Sequence, residues 1–284
     1  MHTYKQSRTA SFLVVALIYL FASAVGVAAY RFLPYDWWLN LLLADVASTV
    51  LTFAFSVLLG NASVYDPYWS VQPIVILVSF AIGREMTVVR LLLLTAVLLW
   101  GIRLTANWAY TFKSLTHQDW RYTMLKEKTG AFYPFINFTG IHLVPTLIVY
   151  GCTLPAVYAF LHESEWNAGS IAFFCLSLGA ATLQGIADFQ MHRYRKHRTS
   201  TFIRDGLWKY SRHPNYLGEI LMWWGIAFSV LSVFPQAWYL ASGALANTLL
   251  FLAVSIPMAD GRQSRKLGYA DYKKQTRMLL PFKK

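Results

Sequence analysis

The chain has 284 residues, of which 56% are hydrophobic and only 13% charged, and its net charge is +12. That balance excludes a soluble globular domain and a disordered segment, and it makes the chain an integral membrane protein. The positive charge is gathered beside apolar runs, where it anchors to anionic lipid headgroups, so no nucleic-acid partner is expected.

Residues 11–30 are the first uncharged run. Lys5 and Arg8 before it, with Ala22, Ser23 and Ala24 inside it, imitate a signal peptide, and the run reads as an uncleaved first helix. Residues 39–60 form a second span interrupted only by Asp45. The third candidate, 71–83, is short for a ~30 Å hydrocarbon core at ~1.5 Å per residue, so it must tilt in from YDPYW, thin the bilayer or re-enter. Residues 87–112 are a fourth span carrying Arg90 and Arg103, and 140–161 and 167–187 are the fifth and sixth. The uncharged stretch 220–259 is split by Pro235 into two more. The expected fold is an all-α polytopic membrane helix bundle with 8 transmembrane helices, or seven if 71–83 does not cross. No repeat or low-complexity linker divides it, so residues 1–284 read as one integral membrane domain.

Lys and Arg positions set the orientation. Lys5 and Arg8, the group Lys113, Arg121, Lys126 and Lys128, the basic stretch from Arg193 to Arg212, and the tail from Arg262 all fall on one side. Both termini are therefore expected in the cytoplasm, of a bacterial inner membrane or of the endoplasmic reticulum. Nearly all ionisable groups lie on that side, so a pocket for a charged cofactor should open there. Cys152 and Cys175 stand singly in apolar spans as core residues, and no metal-ligand spacing occurs.

Gln184, Asp188, His192 and Arg195 are spaced by four, four and three residues, which puts them on one face of a helix leaving the sixth span. That face suits ribose hydroxyls and phosphates, and equally suits snorkelling side chains at a helix exit. Pro214 fits the first turn of the next helix, whose N-terminus, with Arg195, Arg198, Arg212 and His213 nearby, would form an anion-binding funnel. Asn215 and Glu219, one turn apart, could hold a nicotinamide carboxamide or another planar polar group. Tyr65, Asp66, Trp69 and Gln72 in YDPYWSVQP, with His142 and Tyr150, are candidates to polarise or protonate a lipophilic substrate, or else are interfacial and capping residues. No dinucleotide-binding Gly-x-Gly-x-x-Gly, Walker-type loop, zinc motif or nucleophile elbow is present.

Taken together, YDPYWSVQP, WGIRLTANW, DWRYTMLKEKTG with GIHLVPTLIVY, GIADFQMHRYRKHR, GLWKYSRHPNYLGE and GYADYKKQTRMLLPF resemble the membrane-bound steroid 5-alpha-reductase superfamily, with its bacterial relatives of unassigned substrate. The resemblance covers residues 39–284 and leaves 1–38 as an extra N-terminal helix. It implies that NADPH lies in a cytoplasm-facing pocket and delivers hydride to an activated C=C bond of a steroid- or isoprenoid-like lipophilic substrate. It also implies cofactor contacts at Arg103, Gln184, Asp188, His192, Arg195, Asn215 and Glu219, and the basic cluster and helix start beside them add Arg198, Arg212, His213 and Tyr216 as expected cofactor contacts. Tyr65 or Asp66 is the expected catalytic group that polarises the substrate or donates a proton, with Trp69, Gln72, Trp100 and His142 lining the substrate. The steroid enzymes polarise the enone with a glutamate and a tyrosine. The tyrosine position here is Trp100, whose indole donates a hydrogen bond but transfers no proton, and the glutamate position falls near Asp66 or Gln72. RHPxYxG is shared with membrane methyltransferases of the isoprenylcysteine carboxyl and phospholipid type that bind S-adenosylmethionine. Their paired glutamates before the tail are replaced here by Ala259 and Asp260. A transporter or non-catalytic scaffold would show inverted repeats or paired broken helices, which the sequence lacks.

Overall fold

The computed structural model describes residues 3–197 and 200–281, and these fold as helices joined by short turns. Eight long helical segments follow in chain order: α1 (Arg8–Phe32), α2 (Trp37–Leu59), α3 (Tyr68–Ala81), α4 (Val88–Thr111), α5 (Trp120–Leu161), α6 (Ala168–His197), α7 (Pro214–Leu231) and α8 (Pro235–Gln263). A short α9 (Tyr269–Gln275) follows in the tail. Among the described residues six of these, α1, α2, α4, α5, α6 and α8, are long and apolar enough to cross a membrane, as befits an integral membrane protein. Helix α3 has 14 residues and α7 has 18, and these two fall outside the six.

Local chemistry places the helix starts. Ser7 caps α1 by accepting from the Ala10 N–H, and Asp119 caps α5 by accepting from the Arg121 N–H at 2.8 Å. Pro214 occupies the first turn of α7, where its missing N–H costs nothing. Helix α5 is not uniform, since a π-helical turn over Asn137–Leu143 interrupts it, and a second π turn, Phe251–Ser255, lies in α8.

The chain forms two compact units, one of Met1–Glu85 with Gly101–Val157 and one of Met86–Trp100 with Tyr158–Lys284. In unit 1, α1 and α2 approach through small residues, and the Ser48 hydroxyl donates to the Ala22 carbonyl at 2.9 Å. Ser70 on α3 and Thr105 on α4 share a hydrogen bond of 2.8 Å. These cross-helix bonds matter because lipid offers no hydrogen-bonding alternative to a buried hydroxyl.

In unit 2, α6 and α7 run antiparallel in close contact along their lengths. Two glycines permit it. A Cβ on Gly218 would lie 2.7 Å from the Ala180 carbonyl, and one on Gly225 would lie 2.8 Å from the Phe173 carbonyl. Hydrogen bonds fasten the seam, with Ser177 donating to the Met222 carbonyl at 3.1 Å and Ser229 to the Ser170 carbonyl at 2.9 Å. Cys152 is buried as expected from the sequence, but Cys175 is exposed, because Ser177 and Ala180, not Cys175, occupy the face of α6 turned to α7.

Candidate functional site

The α6–α7 seam of unit 2 encloses Glu219, a carboxylate only 5% exposed. Its Oε2 accepts from Trp100 Nε1 at 2.9 Å and from Gln184 Nε2 at 2.6 Å, and its Oε1 accepts from Trp223 Nε1 at 2.9 Å. The rings of Trp100 and Trp223 meet edge-on with centroids 4.8 Å apart. Three oriented N–H donors compensate much of the cost of taking the carboxylate out of water. Gln184 and Glu219, placed on separate helices by the sequence, are thus direct partners, and Trp100 joins them; Trp223 is a partner that periodicity did not single out.

One turn nearer the helix start, Asn215 is half-buried, and its side-chain oxygen is enclosed without a hydrogen-bond partner. Asp188 and His192 are half-buried and Arg195 exposed on the continuation of α6, so the polar face projects beyond the apolar part of the helix. Arg198 lies outside the described residues. Arg103 is half-buried on the stretch of α4 that belongs to unit 1.

In place of an open funnel, Arg212 and His213 turn onto Asp260. The Arg212 guanidinium donates to Asp260 at 3.0 Å, His213 Nε2 lies 3.0 Å from the other carboxylate oxygen, and the Tyr269 hydroxyl donates to it at 2.5 Å. Lys273 adds a longer ion pair at 3.7 Å. Arg212 also donates to the Thr276 carbonyl at 2.7 Å, and its backbone N–H donates to the Arg277 carbonyl at 2.9 Å, so the tail is fastened across the start of α7. Burial pushes the Tyr269 hydroxyl above the ordinary tyrosine range, reinforced by the adjacent Asp260 carboxylate. Tyr216 stacks on His213, with centroids 5.2 Å apart, and packs on Phe251.

Unit 1 holds a second polar group, buried among apolar helices. The Tyr65 hydroxyl is 2.8 Å from Thr146, Thr146 is 2.9 Å from Thr49, and Tyr68 donates to Asp45 at 2.9 Å. Gln72, one turn along α3 from Tyr68, is buried. His142, in the π turn, is fully buried, with Nδ1 at 2.9 Å from the Asn137 carbonyl and its ring 4.6 Å from that of Tyr65. Tyr150 donates to the Trp38 carbonyl at 2.6 Å, and Trp69 is half-buried at the start of α3.

Tyr65 and Asp66, adjacent in sequence, face different partners. The turn of 3-10 helix at Ala62–Tyr65 aims Tyr65 at Thr146, whereas Asp66 accepts from the Tyr122 hydroxyl at 2.6 Å. Burial raises the Asp66 carboxyl to about 6, with the Arg121 charge opposing the rise. Asp45, Thr49, Tyr68 and Thr146 escaped the sequence reading as site residues. A signal existed in Asp45, since a lone carboxylate inside an apolar span needs a reason to be there.

A family model described as "Protein of unknown function (DUF1295)" matches residues 52–276. An uncharacterised protein of Schizosaccharomyces pombe (strain 972 / ATCC 24843) is 25% identical over 261 residues, covering 82% of this chain and 73% of the yeast one. No solved structure matches.

Proposed function

The chain belongs to the DUF1295 family, proteins of unknown function, and from that premise we propose that it is an NADPH-dependent membrane reductase acting on an activated C=C bond of a lipophilic, steroid- or isoprenoid-like compound. The observation that carries this reading is the enclosed, unpartnered side-chain oxygen of Asn215, one turn from Glu219 at the start of a helix. A buried acceptor left without a donor costs about 1–3 kcal/mol, and the N–H of a carboxamide would relieve that cost.

The residues fit the dinucleotide in parts. Asn215 would hold the nicotinamide carboxamide. Glu219 is kept in place beside it by Trp100, Gln184 and Trp223. Asp188, His192 and Arg195, on the projecting face of α6, would take the ribose and phosphates. Arg212 and His213 support the site by anchoring the tail through Asp260, and Tyr216 stacks on His213. The cofactor, when bound, supplies hydride; the protein supplies position and polarisation. In unit 1, Tyr65 is the proposed hydrogen-bonding group for the substrate carbonyl, with Gln72 and His142 in the same polar core, and Asp66 has the supporting contact to Tyr122. We further propose that α3 and α7 complete a set of eight spans with both termini cytoplasmic; a reporter fused to either end should then be active on the cytoplasmic side.

The deciding experiment is parallel titration of the detergent-purified protein with NADPH and with S-adenosylmethionine. NADPH is expected to bind and S-adenosylmethionine is not. The reverse result would replace the reductase by a methyltransferase. Asn215→Ala should weaken NADPH binding roughly tenfold, about 1.4 kcal/mol, without lowering the unfolding midpoint.

A further inference from the structure

The buried hydroxyls of unit 1 form an unbroken chain from Tyr65 to Asp45. Its links are Tyr65 to Thr146 at 2.8 Å, Thr146 to Thr49 at 2.9 Å, Thr49 to Tyr68 at 3.3 Å and Tyr68 to Asp45 at 2.9 Å. The residues come from α2, the 3-10 turn, α3 and α5, so the tertiary fold assembles a chain that no single segment contains.

Each hydroxyl in the chain owns one hydrogen, and an ionised carboxylate can only accept. With Asp45 ionised, Tyr68 must therefore donate to Asp45, Thr49 to Tyr68, Thr146 to Thr49 and Tyr65 to Thr146. Tyr65 then has only lone pairs left for a further partner. The Thr49 hydroxyl donates to Tyr68 in the structure, the direction of the ionised arrangement; with Asp45 protonated and its acid hydrogen on Tyr68, the Tyr68 hydroxyl must turn to donate to Thr49, and the links beyond it then reverse. Thr146 now donates to Tyr65, and the Tyr65 hydrogen is released to point elsewhere. Asp45 is well placed for such a role. It is 2% exposed, and its hydroxyl partner Tyr68 is neutral; among the described residues no lysine or arginine pairs with it. The other titratable groups around the chain are His142, with its ring against Tyr65, Asp66, next to it in sequence, Tyr19, whose ring lies edge-on to Tyr68, and Tyr150.

We propose that Asp45 is a positioning residue which, through Tyr68, Thr49 and Thr146, decides whether Tyr65 presents a hydrogen or a lone pair to a carbonyl-bearing ligand. This rests on the reading of Tyr65 as the group that meets the substrate. If Tyr65 gives its proton away, the chain keeps its balance. One O–H bond forms on the acceptor and one breaks at Asp45, and Thr146, Thr49, Tyr68 and Tyr65 each end with one hydrogen, leaving Asp45 as the carboxylate.

The test is infrared titration of the carboxyl stretch in the detergent-solubilised protein, which needs neither cofactor nor substrate. A buried-carboxyl band should be lost in Asp45→Asn. In Thr146→Val and Tyr65→Phe the midpoint of that band should move by about one pH unit, because the hydrogen bonds arriving at the carboxylate lose their polarisation. Identical midpoints in the wild type and both chain variants would overturn the proposal. Should Asp45→Asn fail to fold, Thr49→Val read on the intact Asp45 band gives the same decision. Coupled titration without NADPH binding would keep the chain and sink the reductase; NADPH binding with uncoupled titration would do the opposite.

Discussion

Unit 2 and unit 1 each bury acidic groups, and they stabilise them in opposite ways. In unit 2, Asp260 is surrounded by Arg212, His213, Tyr269 and Lys273, and Glu219 is gripped by three N–H donors. In unit 1, Asp45 receives the neutral Tyr68 hydroxyl, and the next links outward are hydroxyls that both donate and accept. A carboxylate held by fixed N–H donors and cations has one permitted hydrogen-bond arrangement, which suits anchoring and orientation. A chain of hydroxyls has two, which suits switching.

That contrast can be broken most directly at Asp260. Replacing it by alanine would leave the Arg212 guanidinium, only 7% exposed, and His213 beside it without their shared partner. A loss of about 3–5 kcal/mol is expected. It should appear as a lower unfolding midpoint in detergent, together with faster proteolysis of the tail from Tyr269 onward. An unchanged midpoint would mean that the tail is not fastened there.

Glu219→Gln should cost less, about 2 kcal/mol, because the amide cannot accept at both ends and would confront at least one of the Trp100, Gln184 and Trp223 donors with another donor. Denaturant titration measures the loss, and NADPH affinity should fall with it. Thr146→Val in unit 1 should cost only about 1 kcal/mol, because it removes a neutral link and leaves no charge stranded. If it proved as damaging as Asp260→Ala, the distinction between anchoring and switching carboxylates would fail.

A separate effect is read against pH. Asp66 ionises near 3.8 in an unfolded chain and at about 6 in the folded protein, so between those values the folded state holds the proton more tightly. Its ionisation therefore costs stability as pH rises through that window, and the Asp66 contribution is most favourable below it. Unfolding midpoints at several pH values should show this slope in the wild type and a flatter one in Asp66→Asn. A slope that survives the substitution would assign it to another group.

Much of the fold was legible because water and lipid sort residues by rules that act along the chain. Charge-free runs marked the helical segments, Pro235 divided 220–259 where α8 begins, and Pro214 marked the start of α7. The spacing of Gln184 and the one-turn separation of Asn215 and Glu219 placed them correctly on their helices. Adjacency did not reveal that a tight 3-10 turn sends the neighbouring side chains of Tyr65 and Asp66 to Thr146 and to Tyr122. The pairing of Arg212 and His213 with Asp260 was not legible, because Asp260 stands far along the chain and its approach depends on how the tail folds back.

The sequence by itself determined that this is an all-helical membrane protein with its charged groups gathered at helix ends, since those properties follow from composition and local order. Only the tertiary structure decided which polar groups meet. Hydrogen bonds act over about 3 Å, and the partners of Glu219, Asp260 and Asp45 include residues on other helices, brought within that reach only when the helices pack.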